Sequence, residues 1–349
     1  MEAADLVNIF TEGCVRGASD IHLAAGQRPF LRLDGEMMPL SEDCLAENAL
    51  GTFFASVLTE KERMRLSREN SLDVSFTLAG RRCRAHAYRM GGSTALALRL
   101  LPSKIPPLAD LGAPPVVESL LAARDGLILV GGRTGSGKST TLAALIEEMN
   151  VRRAAHIVTL EDPVEYEFLP KRCFISQRAL GRDFASFPAG LHDALREDPD
   201  VIFIGELREA ETVRIALQAA ESGCLVLATL HTRDAAEAVL RIEGMFPGEE
   251  AQVRSQLSFV LRAVLSQRLL RAAAGGRVLA TEALVAVPAV RNLIRTGKVA
   301  QIRSAVLAGG ASGMQTMAQS VEALLRAQRI TREVKEQALA DLDGVLRER

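Results

Sequence analysis

Two different patterns of apolar and polar positions divide the chain. In residues 1–100, short runs alternate apolar and polar side chains, and Gly, Asp or Pro separates them. Such alternation predicts strands of an antiparallel sheet. We therefore expect a small sheet with one or two helices, including a polar helix near residues 43–69. The runs are SDIHLAAG, PFLRLDGE, LDVSFTLAG, CRAHAYR and TALALRLLP.

After residue 115 the pattern changes to charge-free runs of strand length, separated by longer helical patterns. The helical patterns include Lys138–Asn150 and Ala210–Glu221, and from about Pro288 onward the pattern is helical only. Strands that alternate with helices predict a parallel sheet. The predicted strands are Leu127–Val130, Ile157–Leu160, Val201–Ile204 and Leu225–Leu230.

The stretch LLPSKIPPLADLGAPP, residues 100–115, separates the two patterns. Its five prolines disfavour both helix and sheet and favour an extended linker. The sequence thus predicts an α/β protein with a small α+β domain at 1–100, a linker at 101–115 and a parallel-sheet domain at 116–349. The helical part of the second domain begins near residue 288.

Composition excludes some classes of protein. The formal net charge of the 349 residues is −1, which gives no global reason to expect nucleic acid or an anionic membrane as a partner. The five cysteines are far apart and show no metal-ligand spacing, so we expect reduced thiols in a cytosol. The apolar runs are strand-sized and the N-terminus is acidic, so we expect neither a membrane helix nor a signal peptide.

The segment GGRTGSGKST, residues 131–140, has the spacing of a phosphate-binding loop, and it stands between a predicted strand and a predicted helix. Its glycines allow backbone N–H groups to converge on phosphate oxygens, while the lysine reaches the β- and γ-phosphates and the serine after it holds Mg²⁺. The alternative is a glycine-rich turn that matches by chance. The predicted nucleotide-binding residues are Gly132, Arg133, Thr134, Gly135, Ser136, Gly137, Lys138, Ser139 and Thr140.

Polar residues also follow the other predicted strands. Glu161 and Asp162 come after the second strand, Gly205 and Glu206 after the third, and His231 after the fourth. In open α/β sheets, ligands lie beyond the carboxyl ends of the strands. A glutamate there can activate water or serve the Mg²⁺ shell, and an imidazole can sense the γ-phosphate. The alternatives are solvated turns for the acids and a structural hydrogen bond for the histidine.

Four long segments, in this order, resemble the Walker A, Asp-box, Walker B and His-box motifs of the secretion ATPases, which drive type II and IV secretion and type IV pili. The N-terminal GASDIHLAAGQRPFLRLDGE resembles the first domain of that family. Near the C-terminus, AVRNLIRTGKVAQIRSAV and GMQTM resemble the signature of pilus retraction motors. The four motif segments are GGRTGSGKST, VTLEDPVEYEF, LREDPDVIFIGELREAETVRIALQAAESG and CLVLATLHTRDAAEAVLRI.

The resemblance implies a PAS-like first domain and a RecA-like P-loop ATPase domain with a helical extension. It implies a homo-hexamer that hydrolyses ATP with Mg²⁺. Glu161 would be the base that activates water, Glu206 the Walker B acid associated with Mg²⁺, and His231 the second His-box position. Arginines of the first domain, Arg84 and Arg99 with Arg82 as a weaker candidate, would reach the nucleotide of the adjacent subunit. Without the resemblance, these arginines read as solvated strand residues.

Three positions depart from the family pattern. Arg133 replaces a proline and is expected to point away from the phosphates. Cys224 replaces the first His-box histidine, which puts nucleotide-linked signalling in doubt, and Thr296 replaces the glutamate that closes the retraction signature. The chain lacks the length and the clustered cysteines of assembly ATPases, which favours retraction.

The resemblance implies a cytoplasmic motor at the inner face of the membrane, with an inner-membrane pilus platform protein as partner and the pilin filament as an indirect one. An accessory, weakly hydrolysing paralogue that regulates such a motor, or another secretion-system ATPase, is the alternative. A RecA-like motor acting on DNA is disfavoured because no basic, aromatic-interleaved stretch is present.

Overall fold

A computed structural model describes residues 1–2, 5–33, 36–101 and 104–347 of the chain. Pro102 and Ser103, part of the predicted linker, lie outside the described residues. Contacts divide the chain into two compact units. The first comprises Met1–Lys104 together with Pro163–Glu167, and the second comprises Ile105–Asp162 and Phe168–Arg349.

The first unit is built on an antiparallel sheet with the strand order β3-β2-β1-β6-β5-β4. Each of the five predicted runs forms a strand, and β3 is an additional edge strand. The strands are β1 (Asp20–Ala24), β2 (Phe30–Leu33), β3 (Glu36–Pro39), β4 (Ser71–Leu78), β5 (Arg81–Met90) and β6 (Ser93–Leu100), and the helices are α1 (Asp5–Val15), α2 (Ala49–Val57) and α3 (Glu60–Glu69).

The prediction of one polar helix near 43–69 is wrong, because two helices occupy that stretch. The break falls at Thr59, whose hydroxyl accepts a hydrogen bond from the Glu62 backbone while the Glu62 carboxylate accepts one from the Thr59 backbone. This reciprocal capping fixes the start of α3. The preceding helix α2 is apolar and buries Phe53 and Phe54 in the core of the first unit.

The second unit is built on a sheet with the order β13-β12-β7-β11-β10-β8-β9, in which only β13 is antiparallel to its neighbour. This arrangement confirms the predicted α/β class. The strands are β7 (Gly126–Gly131), β8 (His156–Glu161), β9 (Phe174–Ala179), β10 (Val201–Ile204), β11 (Leu225–Leu230), β12 (Leu261–Arg271) and β13 (Arg277–Val285).

Helices cover this sheet and continue to the end of the described chain. Residues from β7, β10 and β11 are buried on both faces, as expected for parallel strands between helices. The helices are α4 (Val116–Leu120), α5 (Lys138–Arg152), α6 (Phe187–Ala194), α7 (Ala210–Glu221), α8 (Ala235–Glu243), α9 (Glu250–Val260), α10 (Pro288–Arg295), α11 (Ile302–Ala308), α12 (Met317–Arg326) and α13 (Arg332–Arg347), with short 3-10 turns at Leu108–Leu111, Val299–Gln301 and Gly310–Ser312.

Helix α10 begins with Pro288 at its first turn, and Gly297, with a φ of 70°, lies just beyond its end. Val290 and Ile294 are buried, so the predicted apolar face packs into the core. None of the helices in the described residues combines the length and the apolarity needed to cross a bilayer.

The register of the parallel strands determines which residues share an edge of the sheet. Leu230 of β11 pairs with Gly131 of β7, and Ile204 of β10 pairs with both Ala228 of β11 and Leu160 of β8. The carboxyl ends of four neighbouring strands therefore lie at one edge.

Candidate active site

The phosphate-binding loop begins at the carboxyl end of β7 and leads into α5. Gly132, Gly135 and Gly137 all have positive φ, at 150°, 78° and 90°. A Cβ at Gly132 would lie 2.3 Å from the Ser136 hydroxyl and 2.8 Å from the Gln267 carbonyl, so no larger residue fits the loop there. Gly137 caps α5 without a side-chain hydrogen bond, which leaves the first N–H groups of the helix available to an anion.

Lys138 is the first residue of α5 and lies over the loop. Its ammonium donates hydrogen bonds to the carbonyls of Gly132, at 2.8 Å, and Arg133, at 3.2 Å. The residue is buried. The loop carbonyls hold the ammonium at the position from which it can meet a phosphate.

A cleft of about 230 Å³ lies beside the loop, between β12 and α13. Burial lowers the pKa of Arg268 in its wall, and the nearby positive charges of Arg133 and Arg233 add to that effect, although Asp341 opposes it. Arg133, expected to point away from the phosphates, is an exposed member of this wall. The cleft is therefore a favourable environment for an anionic ligand.

Several buried polar atoms around the loop have no hydrogen-bond partner within the described residues. Buried hydroxyls and amides are normally paired, so these atoms suit a polar ligand. Ser139 and Thr140 follow Lys138 at the start of α5, where the serine hydroxyl can serve a Mg²⁺ ion bound with nucleotide. The residues present thus fit a nucleoside triphosphate. The unpaired atoms are Ser136 Oγ, Thr232 Oγ1, Ser266 Oγ and Gln267 Oε1.

Glu161 ends β8 and is buried, whereas its neighbour Asp162 is exposed. Its Oε1 atom accepts hydrogen bonds from the Thr159 hydroxyl, at 2.7 Å, and from the Gln177 side-chain amide, at 3.3 Å. Thr159 is two residues earlier on the same strand face, and Gln177 lies opposite Thr159 on β9. Sequence reasoning missed both partners, although the strand period alone points to Thr159.

Glu206 lies just beyond β10, and the structure brings it together with His231. Its Oε1 is 3.2 Å from His231 Nε2, and its Oε2 accepts a hydrogen bond from Arg208 at 2.8 Å. Arg208, two residues after the glutamate, was not predicted. His231 is half-exposed, whereas Thr232, the next residue after β11, is buried.

The candidate arginines of the first unit lie on alternating positions of two paired strands. Arg84 of β5 is directly opposite Arg99 of β6, and Asp20 of β1 is opposite Arg99 on the other side. Arg99 donates a hydrogen bond to Asp20 at 3.0 Å and remains exposed. Arg84 is also exposed, and within the described residues no ion pair involves it. Arg82 differs, because its side chain is only 14% exposed.

Cys224 lies immediately before β11, at the amino end of that strand, whereas His231 follows its carboxyl end. Its thiol donates to the Pro199 carbonyl at 3.2 Å, and burial raises its pKa, with Asp200 and Asp198 adding to the effect. The six residues of β11 separate the thiol by roughly 20 Å from the edge of the sheet at which the carboxyl ends of the strands and the phosphate-binding loop lie. Any effect of Cys224 on nucleotide-linked signalling would therefore have to pass through β11 and not through contact with the phosphates.

The strand, glycine loop and helix, with carboxylates at the ends of the neighbouring parallel strands, define a P-loop protein of the RecA-like type. A family model described as "Type II/IV secretion system protein" matches residues 3–283, and the chain belongs to this family of secretion ATPases.

Two relatives align with nearly their whole length. The chain is 41% identical over 331 residues to the Pseudomonas aeruginosa protein described as type IV pilus retractation ATPase PilT, covering 94% of this chain and 96% of that protein. It is 48% identical over 306 residues to YggR of Escherichia coli, described as uncharacterized, covering 87% and 93%. A crystal structure of the pilus retraction motor PilT with bound ADP matches at a TM-score of 0.88 and 45% identity, over 95% of this chain and 96% of that one.

Proposed function

We propose that this chain is an ATP-hydrolysing motor that powers retraction of a type IV pilus. Similarity to PilT over nearly the whole of both chains supports the retraction function. The observation that carries the catalytic part is the placement of Lys138, Glu161 and the Glu206–His231 pair at the carboxyl ends of adjacent parallel strands.

Each residue has a separate role in this proposal. The loop N–H groups and Lys138 bind the phosphates. Glu161, with one oxygen held by Thr159 and Gln177, orients and deprotonates the attacking water. Ser139 and Glu206 would hold Mg²⁺, which would neutralise charge on the phosphate oxygens. His231, in the loop before α8, contacts Glu206, so a change in the ligands of Glu206 would be felt by this loop.

The motor is proposed to be a homo-hexamer in which Arg84 and Arg99 reach the nucleotide of the neighbouring subunit. The exposure of both residues, at opposite positions of β5 and β6, supports this role, since a cation supplied in trans must reach the phosphate. Arg99 would first have to leave Asp20. The domains proposed are 1–100 and 116–349, joined by a linker at 101–115. The pilus platform protein of the inner membrane is the proposed partner, and the pilin filament is moved indirectly.

The test is ATP hydrolysis by the purified oligomer, compared with the Glu161→Gln and Glu206→Gln variants. Each variant should retain nucleotide binding, because neither residue belongs to the loop, and should lose about a hundredfold or more in turnover. Unchanged turnover in both variants would contradict the assignment. Expression in a piliated host lacking its retraction motor then tests the biological role, with restored twitching as the expected result.

A further inference from the structure

The segment that follows Glu161 leaves the second unit and returns to it within six residues. Glu161 and Asp162 belong to the second unit, Pro163–Glu167 belongs to the first, and Phe168 belongs again to the second. Any displacement of this segment is transmitted through the chain to the end of β8, where Glu161 lies.

Arg82 holds this segment within the first unit. Its Nε donates to the Val164 carbonyl at 2.9 Å, its Nη1 to the Glu167 carboxylate at 3.0 Å, and its Nη2 to the Ser75 hydroxyl at 3.1 Å. All three guanidinium nitrogens are therefore engaged. Arg84, on the same face of β5, is exposed, so the burial of Arg82 comes from the contacts that it makes with the segment and not from its place on the strand.

Gln177 connects the return of the segment to the carboxylate of Glu161. Its side-chain oxygen accepts a hydrogen bond from the Phe168 backbone at 2.8 Å, and its side-chain nitrogen donates to Glu161 Oε1 at 3.3 Å. The side-chain amide of Gln177 thus contacts the residues on both sides of the segment, Glu161 before it and Phe168 after it. Since proton transfer depends on the placement of the base within fractions of an ångström, this arrangement can set the rate of hydrolysis.

We propose that Arg82 and Gln177 are positioning residues for Glu161, and that Arg82 acts within its own chain by fixing Pro163–Glu167. The proposal rests on the role of Glu161 as the base. It differs from the sequence-based reading of Arg82 as a cation supplied to the neighbouring subunit. To reach a phosphate elsewhere, Arg82 would have to give up three hydrogen bonds, whereas Arg84 has no ion pair to break within the described residues.

The first experiment measures steady-state hydrolysis and nucleotide affinity. Arg82→Ala should lower kcat about tenfold to a hundredfold and change nucleotide Kd less than about threefold, because the phosphate loop is untouched. Arg82→Lys, which keeps the charge without the planar fork, should recover only part of the loss. The control is Arg89→Ala on the same strand. Its guanidinium donates a hydrogen bond to Thr94 and to no other side chain of the described residues, so its loss should leave kcat unchanged. Equal losses of affinity and kcat in Arg82→Ala would overturn the positioning role.

The second experiment alters the contact with the carboxylate alone. Gln177→Glu keeps an oxygen for the Phe168 N–H but replaces the donor to Glu161 with a second negative charge. A like charge at this distance disfavours ionisation, so the acidic limb of the kcat profile should move up by about one pH unit. A pH profile identical to that of the unchanged protein would contradict a positioning role for Gln177.

The third experiment separates action within a chain from action between chains. Chains carrying Arg82→Ala are mixed with chains carrying Glu161→Gln, and the oligomer is reassembled. If Arg82 acts in its own chain, the mixture stays as inactive as its components, because no chain has both residues. If it acts on the neighbour, some interfaces combine an intact Glu161 with an intact Arg82, and hydrolysis recovers. Recovery would refute the inference and leave the base assignment intact, whereas full activity of Glu161→Gln alone would refute the assignment of Glu161 as the base on which the inference rests.

Discussion

Glu282 on β13 gives the structure a measurable dependence on pH. The residue is partly buried, and its carboxylate accepts a hydrogen bond from the Ala235 N–H, at 2.9 Å, and another from the Met317 N–H. Burial raises its pKa from 4.5 to about 6, the nearby Asp234 acts in the same direction, and Arg303 acts against it. Because α8 and α12 begin at these two N–H groups, the carboxylate joins the starts of two helices.

Because the pKa of Glu282 is raised in the folded chain, the free energy of unfolding decreases as the pH rises. The folded chain retains the proton up to about pH 6, whereas the unfolded chain releases it near pH 4.5, so this group stabilises the fold at low pH and the contribution is lost as the pH rises. For this one group, the proton-binding polynomial of the folded chain divided by that of the unfolded chain falls from about 8 at about pH 5 to about 1 at about pH 7.5. This change corresponds to a loss of about 1 kcal/mol of unfolding free energy.

The assay compares thermal unfolding of the unchanged chain with that of Glu282→Gln at the two pH values. The hydrogen bonds that glutamine fails to make lower the stability of the variant by the same amount at both pH values. This loss therefore cancels when the two pH values are compared. The Tm of the unchanged chain minus that of the variant should be greater at about pH 5 than at about pH 7.5, by roughly 2–4 °C. The exposed Glu336→Gln on α13 is the control and should show no such change. A difference that is constant, or greater at the higher pH, would refute the assignment.

Other expected outcomes test the site and its coupling. Lys138→Ala should abolish tight ATP binding in a fluorescence titration, because the phosphates lose their main cation, and unchanged affinity would rule out the loop as the site. A mixture of Arg84→Ala and Glu206→Gln chains should regain part of the lost hydrolysis if the arginine acts between subunits, and no recovery would argue against a shared site. Arg295→Ala should leave hydrolysis intact and stop retraction. Arg291→Ala should instead lower stability, since its guanidinium donates to the carbonyls of Ala286 and Phe259, at 2.7 and 3.4 Å, so equal effects of the two changes would contradict this distinction.

The strands that sequence predicts are those with a one-sided or uniform pattern. The charge-free runs that become β7, β8, β10 and β11 are buried on both faces, which is why they carry no alternation and still read as strands. The missed strands lack either signal. Edge strand β3 is exposed throughout, β9 is half-buried, and β12 has apolar residues whose spacing fits a helix equally well. Strand β13 has Thr281 and Glu282 in its middle, so its run is neither charge-free nor strictly alternating.

The site residues could be predicted because they directly follow strands in the sequence. Hydrogen-bond partners that come from other elements of the fold could not be predicted. The loop and the residues after each strand follow from strand order and length. Gln177 contacts Glu161 because β9 pairs in parallel with β8, in a register that places Gln177 opposite Thr159. The position of Cys224 just before the predicted strand Leu225–Leu230 was also correct, but its contact with the Pro199 carbonyl depends on tertiary packing that the sequence does not show.

Gly205, which precedes Glu206, lies where the ends of two strands pack closely together. The Gly205 N–H donates to the Leu160 carbonyl at 2.8 Å, and a Cβ at Gly205 would lie 3.3 Å from that oxygen and 3.4 Å from the Cα of Glu161. A carboxylate at this position would therefore press on the backbone that carries the base and would add a second negative charge beside it. With glycine there, β10 packs closely against β8. The two acids then have different surroundings: Glu161 accepts hydrogen bonds from Thr159 and Gln177, whereas Glu206 accepts one from Arg208 and lies 3.2 Å from His231 Nε2. A bound cation could take the place of the Arg208 guanidinium beside Glu206.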